Sequence, residues 1–173
     1  MTDSDTGTDD RPERAAVIAL GANLGDREAT LRQAVAELDA TDGIRVRAVS
    51  RHHSTVAITP HGADESAPGY LNAIALAATT LTPIELLDVV AGIETAHGRV
   101  RTERWGDRTL DLDIIDIEGV ELESPRLTLP HPRAAERDFV LAPWLEIDAD
   151  ATLTGRGRVA DLLADVQAGG GGA

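Results

Sequence analysis

Two aspartates spaced two residues apart are the side chains of this sequence best suited to bind a divalent cation. Asp111 and Asp113 lie in TLDLDIIDI (109–117), an apolar run that predicts a β-strand. Alternate residues of a strand point to one face, so the two carboxylates would lie side by side. Their repulsion makes burial costly unless a cation lies between them, and magnesium prefers such oxygens and bridges to phosphates. A solvated acidic face on an edge strand is the alternative, and the strand alone leaves both interpretations open.

The segment that precedes this strand is rich in arginine. GRVRTERWGDR (98–108) contains Arg99, Arg101, Arg104 and Arg108, and its glycines indicate a loop. Guanidinium groups carry planar, forked donors that match phosphate oxygens. Taken alone, the arginines fit a solvated loop that pairs with its own acidic residues. Beside a cation-binding carboxylate pair they fit a polyphosphate, because guanidinium groups would hold its outer oxygens and metal ions its bridging ones.

Two further groups of residues suit a ligand. In RLTLPHPRAAERDF (126–139), His131 stands between two prolines, which would aim its imidazole rigidly at a phosphate or ribose; a structural histidine is the alternative. Tyr70 and Asn72 share a face of a predicted strand and suit a flat heterocycle, unless they are merely an edge aromatic and a loop cap. GANLGDR (21–27) would bring backbone N–H groups to an anion at a helix N-terminus, although it matches neither the dinucleotide nor the P-loop pattern.

Composition excludes several classes of function. The chain has 173 residues, 42% of them hydrophobic, and a net charge of −14, which argues against a nucleic-acid partner. It has no cysteine, and all 16 basic residues are arginine, so thiolate metal sites and a lysine-dependent P-loop are excluded. No run approaches the roughly 20 apolar residues of a membrane span. We therefore expect a cytoplasmic protein without a membrane partner.

The hydrophobic pattern predicts the order strand, helix, strand, strand, helix, strand. The strands are expected at 15–20, 44–50, 70–81 and 109–117, with a long loop at 53–69. The helices would begin at Asp26 and at the capping box of Thr82 and Glu85. This order predicts an α+β, ferredoxin-like βαββαβ antiparallel sheet with both helices on one face and short C-terminal additions. We expect one domain at 15–168, a disordered acidic tail at 1–14 and a flexible end at 169–173.

Taken together, these motifs resemble the 6-hydroxymethyl-7,8-dihydropterin pyrophosphokinase family of folate biosynthesis. The resemblance rests on RWGDRTLDLDII, supported in chain order by GANLGDR, YLNAIAL, PIELLDVVAGIE, GRVR and RLTLPHPRAAERDFVLAPWLEI. It extends over roughly residues 15 to 165. It implies a monomer with a ferredoxin-like fold that transfers the β,γ-pyrophosphoryl group of ATP to the pterin's hydroxymethyl oxygen and releases AMP.

The resemblance also implies roles for individual residues. Two magnesium ions would be held by Asp111 and Asp113. The residues implied at the triphosphate are Arg99 and Arg101 on a loop that closes over it, together with Arg108, His131 and Arg137. Arg126 would lie near the adenine and ribose. The residues implied at the pterin are Tyr70 and Phe139 on its two faces, Asn72 at its edge and Trp105 closing over the site.

Besides an arginine loop that is one residue shorter than in some relatives and has no lysine, the sequence departs from the family pattern in two places. The stretch before Tyr70, STVAITPHGADESAPG, differs from the usual one, so its pterin contacts cannot be assigned residue by residue. Pro132 follows His131 where many members carry tyrosine, which removes one hydroxyl. Neither change touches the aspartates, so activity is expected to survive. Two other classes stay open: a binding module that holds a nucleotide without chemistry, and a plain acidic protein whose aspartates face water.

Overall fold

The computed structural model describes residues 11–23, 26–55, 57–59, 62–64, 69–97 and 110–169. Four strands form the main part of the largest sheet: β1 (Arg14–Ala22), β2 (Ile44–Val49), β6 (Tyr70–Thr79) and β7 (Asp111–Ile117). The short strands are β3 (His53–Thr55), β4 (Ala57–Thr59), β5 (Gly62–Asp64), β8 (Leu122–Glu123), β9 (Thr128–Leu129), β10 (Thr152–Leu153) and β11 (Gly157–Arg158). The α-helices are α1 (Arg27–Asp39), α2 (Pro83–Ala96), α3 (Asp138–Ile147) and α4 (Val159–Ala168), with a 3₁₀ turn at Ala134–Glu136. No helix in these ranges is long and apolar enough to cross a bilayer.

The main sheet has the predicted ferredoxin-like arrangement. Its four long strands lie in the order β2, β6, β1, β7, and all neighbouring pairs are antiparallel. Each connecting helix thus joins two strands that lie on either side of a third, which is the split βαβ connection. The buried face of α1 carries Leu31 and Leu38, and that of α2 carries Leu86, Val90 and Ile93, all in one core cluster with the sheet. The prediction that both helices cover one face is confirmed.

Local capping fixes where the two helices begin. The carboxylate of Asp26 accepts a hydrogen bond from the backbone N–H of Ala29 at 3.0 Å, at the start of α1. At the start of α2, Thr82 and Glu85 form the predicted capping box: the hydroxyl accepts from the Glu85 N–H, and the carboxylate accepts from the Thr82 N–H. Each cap satisfies backbone donors that lack an intrahelical partner.

The C-terminal additions form a third layer on the other face of the sheet. Trp144 of α3 is 3% exposed and lies in a second core cluster with Ile74 and Ile115 of the sheet and Val159 of α4. The sheet is therefore buried on both faces. Trp144, whose role the sequence left open, belongs to this core.

The prediction of a long loop at 53–69 is wrong in part. β3 pairs with β6 at the sheet edge, with His53 opposite Asn72 and Thr55 opposite Tyr70, and β4 pairs with β5 as a hairpin. β3 has no apolar pattern of its own because backbone pairing with β6 holds it in the sheet. At the N-terminus, the predicted tail at 1–14 overlaps residues that the structure describes: Arg14 opens β1, and Glu13 forms ion pairs with arginines of β2.

A buried carboxylate attaches the third layer to the sheet. In β7 the register shifts so that Val17 faces Asp116 and Ile18 faces Ile114, which leaves Ile115 as an extra residue. Asp116 is 4% exposed, and one of its oxygens accepts from both the backbone N–H and the hydroxyl of Thr154, each at 3.0 Å. Burial raises the pKa of this carboxyl, although the bonds from Thr154 oppose the effect.

This raised pKa predicts a pH-dependent stability difference for Asp116→Asn. The folded protein holds the Asp116 proton more tightly than the unfolded chain, so the side chain's contribution to stability falls as the pH rises through its folded pKa. The asparagine does not titrate, so the variant's free energy of unfolding relative to wild type should increase between about pH 4 and about pH 7. Urea denaturation across this range measures it, and a difference that is constant with pH would contradict the assignment. Asp150→Asn, on an exposed turn, is the control.

Candidate active site

A cavity of about 690 Å³ opens at one end of the sheet, on the face that α3 covers. Six of the predicted site residues line it: Tyr70, Asn72, Asp111, Asp113, Arg137 and Phe139. They come from two strands and from the first turn of α3, in parts of the chain up to 69 residues apart. The fold therefore brings together side chains that the sequence could relate only by motif.

Small residues of β1 form the floor between the two groups of polar side chains. Gly21 pairs with Asp111 of β7 on one side and with Asn72 of β6 on the other. Ala19 pairs with Asp113 in the next row on this face. Since neighbouring strands lie about 4.8 Å apart, the carboxylates and the amide stand about 10 Å apart across a floor that holds no large side chain. That gap is wide enough for two ligand groups held side by side.

The two aspartates share one face of β7, as their spacing predicted. Both line the cavity, whereas Leu112 and Ile114 lie in the core beneath α1 and α2. Asp111 is partly buried and Asp113 is exposed to the cavity. Among the described residues no group of three or more histidine, cysteine, aspartate or glutamate side chains is placed to hold a metal. Two carboxylate ligands nevertheless fit magnesium, which keeps several waters and shares its remaining positions with substrate phosphates.

A side-chain hydrogen bond holds the side of the cavity that Tyr70 and Asn72 form. Asn72 donates from Nδ2 to the hydroxyl oxygen of Thr55 on β3 at 2.8 Å. This bond directs the amide oxygen towards β1, where a Cβ on Gly21 would lie 3.2 Å from it. Thr55 also lines the cavity and pairs with Tyr70 in the sheet. A ring, an amide and a hydroxyl therefore stand next to one another, as recognition of a flat polar heterocycle requires.

The first turn of α3 supplies an aromatic ring with a cation over it. Among the described residues, Phe139 is the large apolar side chain that is exposed to solvent, with 39% of its surface accessible. The guanidinium carbon of Arg137 lies 5.5 Å from the centre of its ring, within the range of a cation–π contact. Arg137 is thus placed to serve an anion while it limits the orientations of Phe139.

His131 does not line this cavity; it lines a second pocket with Pro130 and Arg156, close enough to Asp113 and Arg137 for their charges to act on its imidazole. Its backbone N–H donates to the carbonyl of Ile115 in β7 at 2.8 Å, and its Nδ1 accepts from the N–H of Arg133 at 3.2 Å. Burial lowers the pKa of the imidazole; the charge of Asp113 opposes this, and Arg137 and Arg133 add to it. A neutral ring whose Nδ1 accepts carries its proton on Nε2, so His131 is suited to donate to an oxygen anion.

Several predicted residues lie elsewhere. Arg126 is not among the residues that line this cavity; its guanidinium forms an exposed ion pair with Asp88 of α2 at 2.6 Å. Arg99, Arg101, Trp105 and Arg108 lie outside the described residues, so their predicted roles stay predictions.

The sequence did not single out Thr55, Gly21, Glu136 or Asp138, all of which line the cavity. Thr55 and Gly21 become visible only through strand pairing. Glu136 and Asp138 alternate with Arg137 and Phe139 in ERDF, and their position next to two predicted residues was the available signal.

The fold and site define an α+β protein with one cavity at the end of its sheet, in which a pair of carboxylates lies next to aromatic side chains. The model of the 7,8-dihydro-6-hydroxymethylpterin-pyrophosphokinase family matches residues 17–149. Among curated proteins, the chain is 43% identical over 155 residues to 2-amino-4-hydroxy-6-hydroxymethyldihydropteridine pyrophosphokinase of Methylorubrum extorquens, covering 90% of this chain and 95% of that protein. It is 46% identical over 132 residues to the protein of the same name from Bacillus subtilis, covering 76% and 77%. The chain belongs to this family of pyrophosphokinases.

A solved structure supports the fold independently. The chain is similar to Plasmodium falciparum HPPK-DHPS wild type, with a TM-score of 0.66 and 12% sequence identity. The alignment covers 91% of this chain and 42% of that one, so this chain spans less than half of the longer protein. At this identity the likeness concerns the fold alone.

Proposed function

We propose that this protein transfers the pyrophosphoryl group of ATP to the hydroxymethyl oxygen of 6-hydroxymethyl-7,8-dihydropterin and releases AMP, a step of folate biosynthesis. The observation that carries the proposal is the single cavity that joins the Asp111 and Asp113 carboxylates to Tyr70, Asn72 and Phe139. One end suits a metal-bound polyphosphate and the other suits a flat heterocycle, as a reaction between these two substrates requires.

Asp111 and Asp113 would hold the metal, with two magnesium ions expected from the family. When bound, magnesium supplies positive charge for the phosphate oxygens and lowers the pKa of a coordinated hydroxyl. In the reaction the hydroxymethyl oxygen forms a bond to the β-phosphorus, the bond from that phosphorus to the α,β-bridging oxygen breaks, and the hydroxyl proton is released. The carboxylates contribute by fixing where positive charge stands, which stabilises the charge that develops in the transition state.

Cationic and donor groups would complete the phosphate side. Arg137 is placed to contact phosphate oxygens, and the Nε2 proton of neutral His131 is suited to donate to one of them. As the resemblance implies, Arg99, Arg101 and Arg108 would contact the triphosphate, Arg126 would lie near the adenine and ribose, and Trp105 would close over the site.

The pterin would lie between Tyr70 and Phe139 with Asn72 at its edge. Stacking between two rings restricts the pterin to one plane, and the amide fixes its rotation in that plane. Holding the hydroxymethyl group in line with the phosphate chain supplies much of the acceleration, because it removes the entropic cost of orienting two substrates. We further propose a cytoplasmic monomer, one domain at 15–168, without nucleic-acid or membrane partners.

The deciding experiment is the identity of the nucleotide product. Protein, ATP, magnesium and the hydroxymethyl dihydropterin are incubated and the nucleotides are separated by chromatography. AMP formed in equal amount to pterin pyrophosphate is the expected result. ADP without AMP would refute pyrophosphoryl transfer, and ATP binding without any turnover would indicate a nucleotide-binding module instead.

Arg137→Gln tests two proposed roles of this arginine, a contact with the ATP phosphates and the cation–π contact with Phe139. Loss of the cation should raise the KM for ATP about tenfold or more, as removal of a charged phosphate contact does. Loss of the contact to Phe139 should weaken pterin binding only about twofold to fivefold. Arg133→Gln, which removes another arginine of the same cavity, is the control for general electrostatics and should leave pterin affinity unchanged. Equal weakening of pterin binding in both variants would exclude the ring contact.

A further inference from the structure

The arginine of the GANLGDR motif makes a contact that the proposed reaction does not use. Arg27 is the first residue of α1, and its Nη1 donates to the carbonyl oxygen of Gly69 at 2.6 Å in a partly buried setting. The two residues are 42 positions apart in the chain. Arg27 is not among the residues that line the cavity. Its guanidinium group therefore bonds to the protein's own backbone, at the residue immediately before Tyr70.

Gly69 stands where only a glycine fits. A Cβ at this position would lie 2.5 Å from the carbonyl oxygen of Thr55, a distance that real Cβ atoms do not reach. The next residue, Tyr70, pairs with Thr55 in the sheet, and Thr55 accepts the hydrogen bond from Asn72. Gly69 is thus held between the Arg27 guanidinium and the backbone of β3, at the point where β6 enters the pocket.

We propose that Arg27 is a positioning residue for the heterocycle side of the site. By holding the Gly69 carbonyl, it fixes the position of the first residues of β6 relative to β3. This in turn fixes the positions of the Tyr70 ring and of the hydrogen-bonded pair Thr55 and Asn72 before any ligand binds. This inference rests on the proposed function, since it assigns the ligand of that pocket as a pterin. At the start of α1 the Asp26 carboxylate accepts the hydrogen bond of the Ala29 N–H group; residues 24 and 25 of the motif lie outside the described residues, so the expected anion site there stays a prediction.

The first test compares Arg27→Met with Arg32→Met. Arg32 lies on the same helix, is exposed and, in the described part of the chain, forms an ion pair with Glu28 one turn away, so its loss matches the change in charge without touching Gly69. Arg27→Met should raise the Kd and KM for hydroxymethyl dihydropterin about fivefold to tenfold, the effect of losing one charged hydrogen bond. The KM for ATP should stay within about twofold, because the phosphate side does not depend on β3. Arg32→Met should change neither constant.

Two further variants separate positioning from a general loss of stability. Arg27→Lys keeps a donor and should restore at least half of the lost pterin affinity, whereas a purely steric or packing role would not follow the donor. Gly69→Ala forces β6 away from β3 while leaving Arg27 intact and should give the same pterin-specific loss. The Kd for pterin of the double variant Arg27→Met/Gly69→Ala should then be no higher than that of the single variant that binds pterin less tightly. Both changes act at the same contact between Arg27 and Gly69, so their effects should not add.

The possible outcomes are decisive in either direction. Pterin affinity at the wild-type level in folded Arg27→Met, or an equal rise in the KM values for ATP and pterin, overturns the inference and leaves the proposed function standing. If Arg27→Met does not fold, the result for Gly69→Ala decides in the same way. A wild-type protein that releases no AMP overturns the proposed function, and the inference falls with it.

Discussion

Asp113→Asn and Asp111→Asn should each lower kcat by at least about a thousandfold while the protein keeps its fold. Each change removes one of the two carboxylate charges that would hold the metal, and the metal's charge is worth several kcal/mol in the transition state. Asp113 is exposed and Asp111 is only partly buried, so the thermal midpoint should move little. Steady-state AMP release and circular dichroism, measured on the same preparations, test both halves of this prediction.

The matched control is Asp138→Asn, which neutralises another carboxylate that lines the same cavity. Asp138 lies in the first turn of α3, so its loss should cost about 0.3–1 kcal/mol of helix stability and leave kcat within about threefold. A similar loss of activity in all three variants would show that net charge in the cavity matters rather than the aspartate pair. Wild-type turnover in either Asp111→Asn or Asp113→Asn would contradict the metal assignment.

Gly21→Val should abolish productive pterin binding, with a loss of at least about a hundredfold in kcat/KM for the pterin. The first added carbon would lie 3.2 Å from the amide oxygen of Asn72 and 3.6 Å from the Tyr70 ring, and the two methyl groups would extend into the cavity floor. Valine is otherwise well suited to a strand, so destabilisation should stay within the roughly 1–3 kcal/mol of an overpacked site. Initial-rate measurements with varied pterin at saturating ATP give the required constants.

Gly92→Ala is the control, because it adds a side chain to a glycine that lies away from the cavity. No atom beyond its own helix lies within 4 Å of a Cβ at this position of α2, so alanine should stabilise the helix by up to about 1 kcal/mol without any change in the kinetic constants.

If Gly21→Val retained full kcat/KM, the floor of the cavity would not be in contact with the pterin, and the orientation proposed for the ring would be wrong.

The parts of the fold that the sequence could predict are those with local causes. The caps at Asp26 and Thr82 involve residues three apart, and the strand of Asp111 and Asp113 shows its two faces directly in its alternation. The pairing of β3 with β6 is set by residues 17 apart that have no apolar pattern of their own, so it could not be seen. The same holds for the contact between Arg27 and Gly69, which only the assembled sheet creates.

The site shows the same division between local and assembled features. Tyr70, Asn72, Asp111 and Asp113 were identified because two-residue spacing in a strand places side chains together. Thr55 was missed because its role depends on which strand lies next to Asn72. Arg126 was predicted at the nucleotide, yet its visible partner is Asp88 of α2, a residue that no motif connects with it.

The helix that closes the second face of the sheet also opens onto the cavity. Over ten residues α3 carries Arg137 as its cap and Phe139 at the site, and then Leu141 and Trp144 in the core. Because α3 is one rigid helix, a shift that reshapes the pocket at Phe139 must also disturb the packing of the Trp144 indole, five residues further along. Evolution therefore cannot easily broaden the range of accepted substrates through α3 without giving up heat resistance, and adaptive change should accumulate instead on β3 and the hairpin that follows it.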